Sequence, residues 1–269
     1  MLTYNWHTHT SRCGHAVGTD EEYVQAAIEA GLTKLGFSDH APYKDPFSGE
    51  RMRIEELSEY ISSVRHLKEK YRDQIDIYLG MEVECYKSEW DTLAMIRHET
   101  DYCILGQHNL DYDSHSSYGL TDGDELKEYT ERLEYACSHY LCDYIAHPDV
   151  CLFSYPIIDE SVITMAQKVA DLSLYYHVPL ELNCGSGVRI GKRRYNDGMR
   201  YAYPVRQVFT EFAKKGCEIV IGLDVHDPKL FATDLYIERA LEVIEGLDCH
   251  IIYEYELAEA AKERKKLFF

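Results

Sequence analysis

Short apolar runs alternate with longer amphipathic stretches along this chain. Seven runs read as strands, over residues 2–6, 34–38, 75–79, 102–105, 144–146, 179–182 and 218–223. Between them the apolar spacing changes to a helical period, as with Leu57, Ile61, Val64 and Leu67 in a helix predicted over 54–71. Thr19 with Glu22 three residues on is a capping box, opening a helix that Gly31 closes. Further helices are predicted over 124–141, 160–176, 204–215 and 228–244, with a short one capped by Ser88. Repeated strand–helix units predict a parallel α/β barrel. We expect one domain over residues 1–269, with the barrel ending near 245 and a tail holding a short extended piece and a charged helix.

The ends of the runs carry the chemistry. The first runs into His7 and His9, and later runs deliver His40, Glu82, His108, His147 and the pair Asp224 and His226. Only the sixth ends differently, on Asn183. Ligands gathered from the carboxyl ends of many strands are how a parallel barrel builds a metal site on one face. His7 and His9, two apart on a strand, face the same way about 6.6 Å apart and can present two imidazoles to one ion. His15, on the first loop, joins them as a candidate ligand, whereas His66, His98, His139, His177 and His250 fall on helices or in the tail and read as ordinary histidines. Histidine and carboxylate ligands suit zinc, iron or manganese. The set exceeds the needs of one ion, so two or three divalent ions are expected, with Glu82 placed to bridge. Clustered ions lower the pKa of water to around 7 and clamp an in-line phosphoryl displacement.

A formal charge of −19 on 269 residues argues against a nucleic-acid partner. Against that background Arg189, Lys192, Arg193, Arg194, Arg200 and Arg206 crowd into one segment, a candidate phosphate clamp beside a metal site. The nine cysteines are odd in number and form no C-x-x-C pair, which predicts free thiols in a reducing compartment. No stretch approaches membrane-spanning length, and a cytoplasmic protein of unknown oligomeric state is expected.

The ordered set His7-Thr-His9, Cys13-Gly-His15, Ser38-Asp-His40-Ala-Pro, Gly80-Met-Glu82, Gly106-Gln-His108, Ala146-His147-Pro-Asp, Glu181-Leu-Asn183 and Gly222-Leu-Asp224-Val-His226 closely resembles the polymerase and histidinol phosphatase (PHP) family of phosphoesterases. The C-G-H and H-P-D contexts resemble its histidinol-phosphatase branch. The resemblance implies a distorted (β/α)7 TIM-like barrel and a trinuclear centre. In it His7, His9, Glu82 and Asp224 hold one ion, Glu82, His108 and His147 a second, and His15, His40 and His226 a third. It also implies hydrolysis of L-histidinol phosphate to L-histidinol and phosphate, a step of histidine biosynthesis, by a metal-bridging hydroxide. Arg189 would hold the phosphate, with Lys192, Arg193 or Arg200 as alternatives, and Asp224 would relay a proton to the leaving alkoxide. Asn183 and His115 are candidate substrate contacts, as are Asp45 and Asp111 for the aminoalcohol and imidazole. Competing readings are a PHP phosphoesterase for another small phosphomonoester, a metal-dependent amidohydrolase, and a non-catalytic metal-binding PHP module.

Overall fold

The computed structural model describes residues 2–44, 49–112 and 115–268. Its main sheet has eight strands in the order β1 (Tyr4–Asn5), β2 (Lys34–Phe37), β3 (Asp76–Val83), β4 (Tyr102–Leu105), β5 (Tyr144–Ile145), β6 (Leu180–Asn183), β7 (Glu218–Gly222) and β8 (His250–Ile251). Every neighbouring pair is parallel. Central strands such as β4 and β6 are buried throughout, as expected when helices cover the outer face and side chains fill the interior.

The helices are α1 (Asp20–Glu29), α2 (Leu57–Lys70), α3 (Trp90–Glu99), α4 (Gly123–Ser138), α5 (Glu160–Tyr176), the single turn α6 (Ser186–Arg189), α7 (Arg206–Lys215), α8 (Leu235–Ile244) and α9 (Leu257–Lys265). The Thr19 and Glu22 capping box forms at the start of α1, and a second, from Asp122 and Glu125, opens α4. On α2 the predicted face of Leu57, Ile61, Val64 and Leu67 is buried together with Tyr60.

The sheet curls into a distorted barrel. At its carboxyl end Thr8 bridges Val225 in parallel, with His9 N–H donating to Val225 O at 2.9 Å and Val225 N–H to His7 O at 3.1 Å. This joins the continuations of β1 and β7. The seven strands read from the sequence are all present; the eighth, β8, lies within the predicted extended tail and pairs with the amino end of β7. Two hairpins rise beyond the strands, 109–111 with 115–116 after β4 and 193–195 with 198–200 after β6. Among the described residues no helix is long and apolar enough to cross a membrane.

Candidate metal centre

Glu82, near the end of β3, is 1% exposed and lies at the centre of the strand-end residues. Its Oε1 stands 2.9 Å from His147 Nε2, 3.5 Å from His7 Nε2 and 3.6 Å from His108 Nε2. Its Oε2 stands 2.8 Å from His40 Nδ1 and 3.4 Å from His9 Nε2. Asp224 Oδ1 lies 3.5 Å from His9 Nε2, 3.7 Å from His7 Nε2 and 3.2 Å from His226 Nδ1. His15 Nε2 completes the group, 3.0 Å from His226 Nε2. The fold therefore brings together all nine residues singled out as metal ligands in the sequence.

Sets of three with ligand atoms inside 4.8 Å are His7, His9 and Asp224; His7, Glu82 and His147; His9, His40 and Glu82; and His15, His40 and His226. A further set joins Cys13 to His9 and His226, but burial pushes the Cys13 thiol up to about 12, away from the thiolate a metal needs. His7 Nε2 and His9 Nε2 are buried with no hydrogen-bond partner among the described residues. Buried polar atoms are rarely left this way, and their convergence on one small volume fits divalent ions bound among them.

The electrostatics agree. Burial opposes charge on Glu82, yet His108, His40 and His7 hold its carboxyl well below the usual range. Asp224 is likewise held down against burial, by His7 and His226. Burial, with His226 and His40 close by, keeps the His9 imidazole well below its ordinary value. Burial also takes His40 down to about 4, against the pull of Glu82. Ionised carboxylates beside the neutral imidazoles of His9 and His40 suit a cation. Against burial, the carboxylates around His7 and His108 raise those two imidazoles and leave a cation to replace their protons.

Behind the imidazoles stand further carboxylates. Fully buried Glu181 accepts from His7 Nδ1 at 2.8 Å, from the His147 N–H at 2.8 Å and from Asn183 Nδ2 at 2.8 Å. Asp39 faces His9 Nδ1 at 3.7 Å and accepts from the His40 N–H at 3.0 Å. Glu84 lies 3.2 Å from His108 Nδ1. Such partners fix an imidazole's tautomer and direction toward a metal. At Gly106 an added Cβ would collide with the Glu82 carboxylate, and at Gly185 with that of Asp224. Asp224 and His147 take φ of +48° and +28°, conformations costly for residues with a Cβ and retained mainly at functional sites.

A cavity of about 590 Å³ opens over the cluster, lined also by Arg51, Asn109, Ser116, Tyr118, Phe153 and Arg189. Arg189, at the end of α6, donates to Asp224 O at 2.9 Å and is the one residue of the basic segment on this lining. Three expected alternatives are placed elsewhere. Lys192 pairs with Glu242 at 2.8 Å. Arg200 turns inward, donating to Tyr155 O at 2.9 Å and to Ala202 O at 3.1 Å and lying over the Tyr195 ring. Arg193 lies over the Phe153 ring, 5.0 Å from its centre, and is not on the lining. Asn183 braces instead of lining: it donates to Glu181 and accepts from the Gly185 N–H at 2.7 Å. His115 is engaged by Glu125 at 2.9 Å, and Asp111 is exposed on its hairpin, both off the cavity lining. Asp45 lies outside the described residues.

The PHP domain profile matches residues 5–185, more than half of the chain. The chain belongs to the PHP family. Among PHP relatives, "Probable histidinol-phosphatase" of Deinococcus radiodurans is 29% identical over 247 residues, covering 82% of this chain and 85% of the relative. Histidinol-phosphatase of Bacillus subtilis strain 168 is 33% identical over 137 residues, 46% of this chain and 50% of its own. The fold is similar to the crystal structure of histidinol phosphate phosphatase from Lactococcus lactis, solved with zinc, L-histidinol and phosphate. The TM-score is 0.70 at 18% identity, over 93% of this chain and 95% of the other.

Proposed function

We propose that this PHP protein hydrolyses small phosphate monoesters, L-histidinol phosphate foremost, at two or three divalent ions held by His7, His9, His15, His40, Glu82, His108, His147, Asp224 and His226. The observation that carries this reading is Glu82 ringed by five imidazoles at the floor of a cavity that Arg189 enters. The Deinococcus and Bacillus relatives, and the ligands of the Lactococcus structure, support L-histidinol phosphate as the substrate.

When bound, the ions polarise phosphoryl oxygens and bring the pKa of water to around 7. The remaining work falls to the chain. Arg189, oriented by the Asp224 carbonyl, offers a planar cation to the phosphate oxygens as charge develops on them. Asp224 relays the proton released by the attacking water to the leaving alkoxide. The water oxygen–phosphorus bond forms opposite the bond to the alkoxide oxygen, which breaks. Glu181 and Asn183 hold His7 and the loop bearing Gly185 in place.

The test is phosphate release from L-histidinol phosphate beside simple phosphomonoesters, with protein reconstituted in turn with zinc, iron and manganese. A preference of a hundredfold in kcat/KM, about 2.7 kcal/mol of transition-state discrimination, supports the histidinol assignment. Broad, weak turnover keeps the phosphomonoesterase and removes the named substrate. No turnover with any of the three ions overturns the enzymatic reading in favour of a metal-binding module.

A further inference from the structure

Glu82 and Glu84 sit two apart along the end of β3 and just beyond it, and both are buried. Glu82 meets the imidazoles head-on, whereas Glu84 reaches behind one of them. Its Oε1 lies 3.2 Å from His108 Nδ1 and accepts from the His108 N–H at 2.9 Å and from Asn109 Nδ2 at 3.4 Å. Its Oε2 accepts from Arg51 Nη2 at 3.0 Å and from Tyr86 OH at 2.6 Å. Tyr43 adds a clamp on the backbone, accepting from Glu84 N–H at 2.7 Å.

We propose that Glu84 is the positioning residue for His108, and that Arg51 holds Glu84 in the outstretched position this task requires. The inference rests on the reading of His108 as a metal ligand. Glu84 Oε1, already accepting from the His108 N–H, stands in reach of Nδ1 as the acceptor for the imidazole proton. Nε2, 3.6 Å from Glu82 Oε1, is then the unprotonated nitrogen turned to the centre. With one Glu84 oxygen taking both the main-chain N–H and the ring of His108, the ring has little freedom to rotate out. Arg51 supplies what a buried carboxylate otherwise lacks, a compensating charge. It also lines the cavity, so the wall facing the substrate and the orientation of His108 share one ion pair.

The experiment compares zinc binding by wild type and by E84A, E84Q, E84D and H108A. Zinc per chain is measured by elemental analysis, zinc affinity by chelator competition, and geometry by the absorption spectrum of the cobalt-substituted proteins. H108A should lose a zinc ion. E84A should bind the same ion at least tenfold more weakly, within the 10–100-fold usual for such partners, with a changed cobalt spectrum and, when metal-free, a single cooperative unfolding transition at lower urea. E84D should recover part of the loss. If E84A does not fold, E84Q keeps the volume and one acceptor oxygen while losing the charge that Arg51 meets, and it should show the weaker zinc binding. Wild-type zinc affinity in the folded Glu84 variants, with H108A deficient, overturns the proposal alone. Wild-type zinc content and affinity in H108A overturns the ligand reading of His108, and the proposal with it.

Discussion

His7 Nδ1 lies 2.8 Å from Glu181 Oε1, with both side chains shut off from solvent. Burial alone would lower the pKa of this imidazole, yet Glu181, with Asp224 and Glu82 beyond it, raises it well above the ordinary value. The pair joins β6, whose end carries no expected ligand, to the first histidine of the centre. Removing the carboxylate in E181A would strand His7 Nδ1, the His147 N–H and Asn183 Nδ2 together. Each stranded buried donor costs about 1–3 kcal/mol. The metal-free variant should therefore lose about 3 kcal/mol or more in urea denaturation, and a loss below about 1 kcal/mol would show that water enters to replace the carboxylate.

Glu82 is the residue on which most of the centre depends. E82Q keeps its volume but removes the charge that draws in the cations. Expected outcomes are loss of more than one ion per chain and a fall in phosphatase activity of about a hundredfold or more, in line with the loss of a direct ligand. Elemental analysis after dialysis reads the first and phosphate release the second. Full metal content in E82Q would remove the bridging role.

The basic segment after β6 separates into one cavity residue and several that are engaged elsewhere. R189A should lower kcat/KM by about 10²–10³, the usual effect of deleting a donor aimed at developing charge. K192A should change it less than about twofold, because Lys192 pairs with Glu242 away from the lining. Equal losses in the two variants would mean that the segment acts as a diffuse cationic field and not through a directed guanidinium.

How much of this was legible in the chain follows from what each residue touches. His7, His9 and His40 could be read because each ends an apolar run, and strand ends of a parallel barrel share one face. The capping boxes and the α2 stripe are local patterns. Of the bracing carboxylates, Glu181, within β6 itself, was visible only as a member of a motif, and Glu84, just past β3, had no periodic signature. Arg51 gave no signal, since its cavity position comes from a loop folded back on Glu84 and Ala41. The crowding of arginines suggested interchangeable clamps. Packing shows otherwise, because Arg200 is drawn inward by the main-chain carbonyls of Tyr155, Tyr201 and Ala202.

Chelation offers a test that needs no substrate. Ions that bind the folded chain and not the unfolded one stabilise it by mass action, about 4 kcal/mol when free ion exceeds Kd a thousandfold. Adding EDTA to the zinc-loaded protein should lower the melting temperature by several degrees, and added zinc should restore it. Wild type and a variant without the centre, such as E82Q, should then melt closer together in EDTA than in zinc. An EDTA-insensitive melting temperature would argue that the buried imidazoles need no cation.

Asp149, two residues beyond His147, provides a pH test in the metal-free protein. Burial pushes its carboxyl up to about 7, although the Val205 N–H donates to Oδ2 at 2.6 Å, and Oδ1 has no partner among the described residues. A carboxyl raised on folding binds its proton more tightly in the folded state. Between its unfolded value, about 3.9, and about 7, the folded chain therefore holds the extra proton. Stability from this group is present at the acid end and declines as pH rises through that window, by up to about 1.4 kcal/mol per unit. D149N keeps an oxygen for Val205 and cannot ionise. In the metal-free protein D149N should gain on wild type from pH 5 to 7, and the difference should level off above that. Urea titrations of both proteins across pH 5 to 8 measure it. A difference that stays flat would mean that Asp149 remains ionised, its charge met by nearby Arg200, and that burial does not govern it.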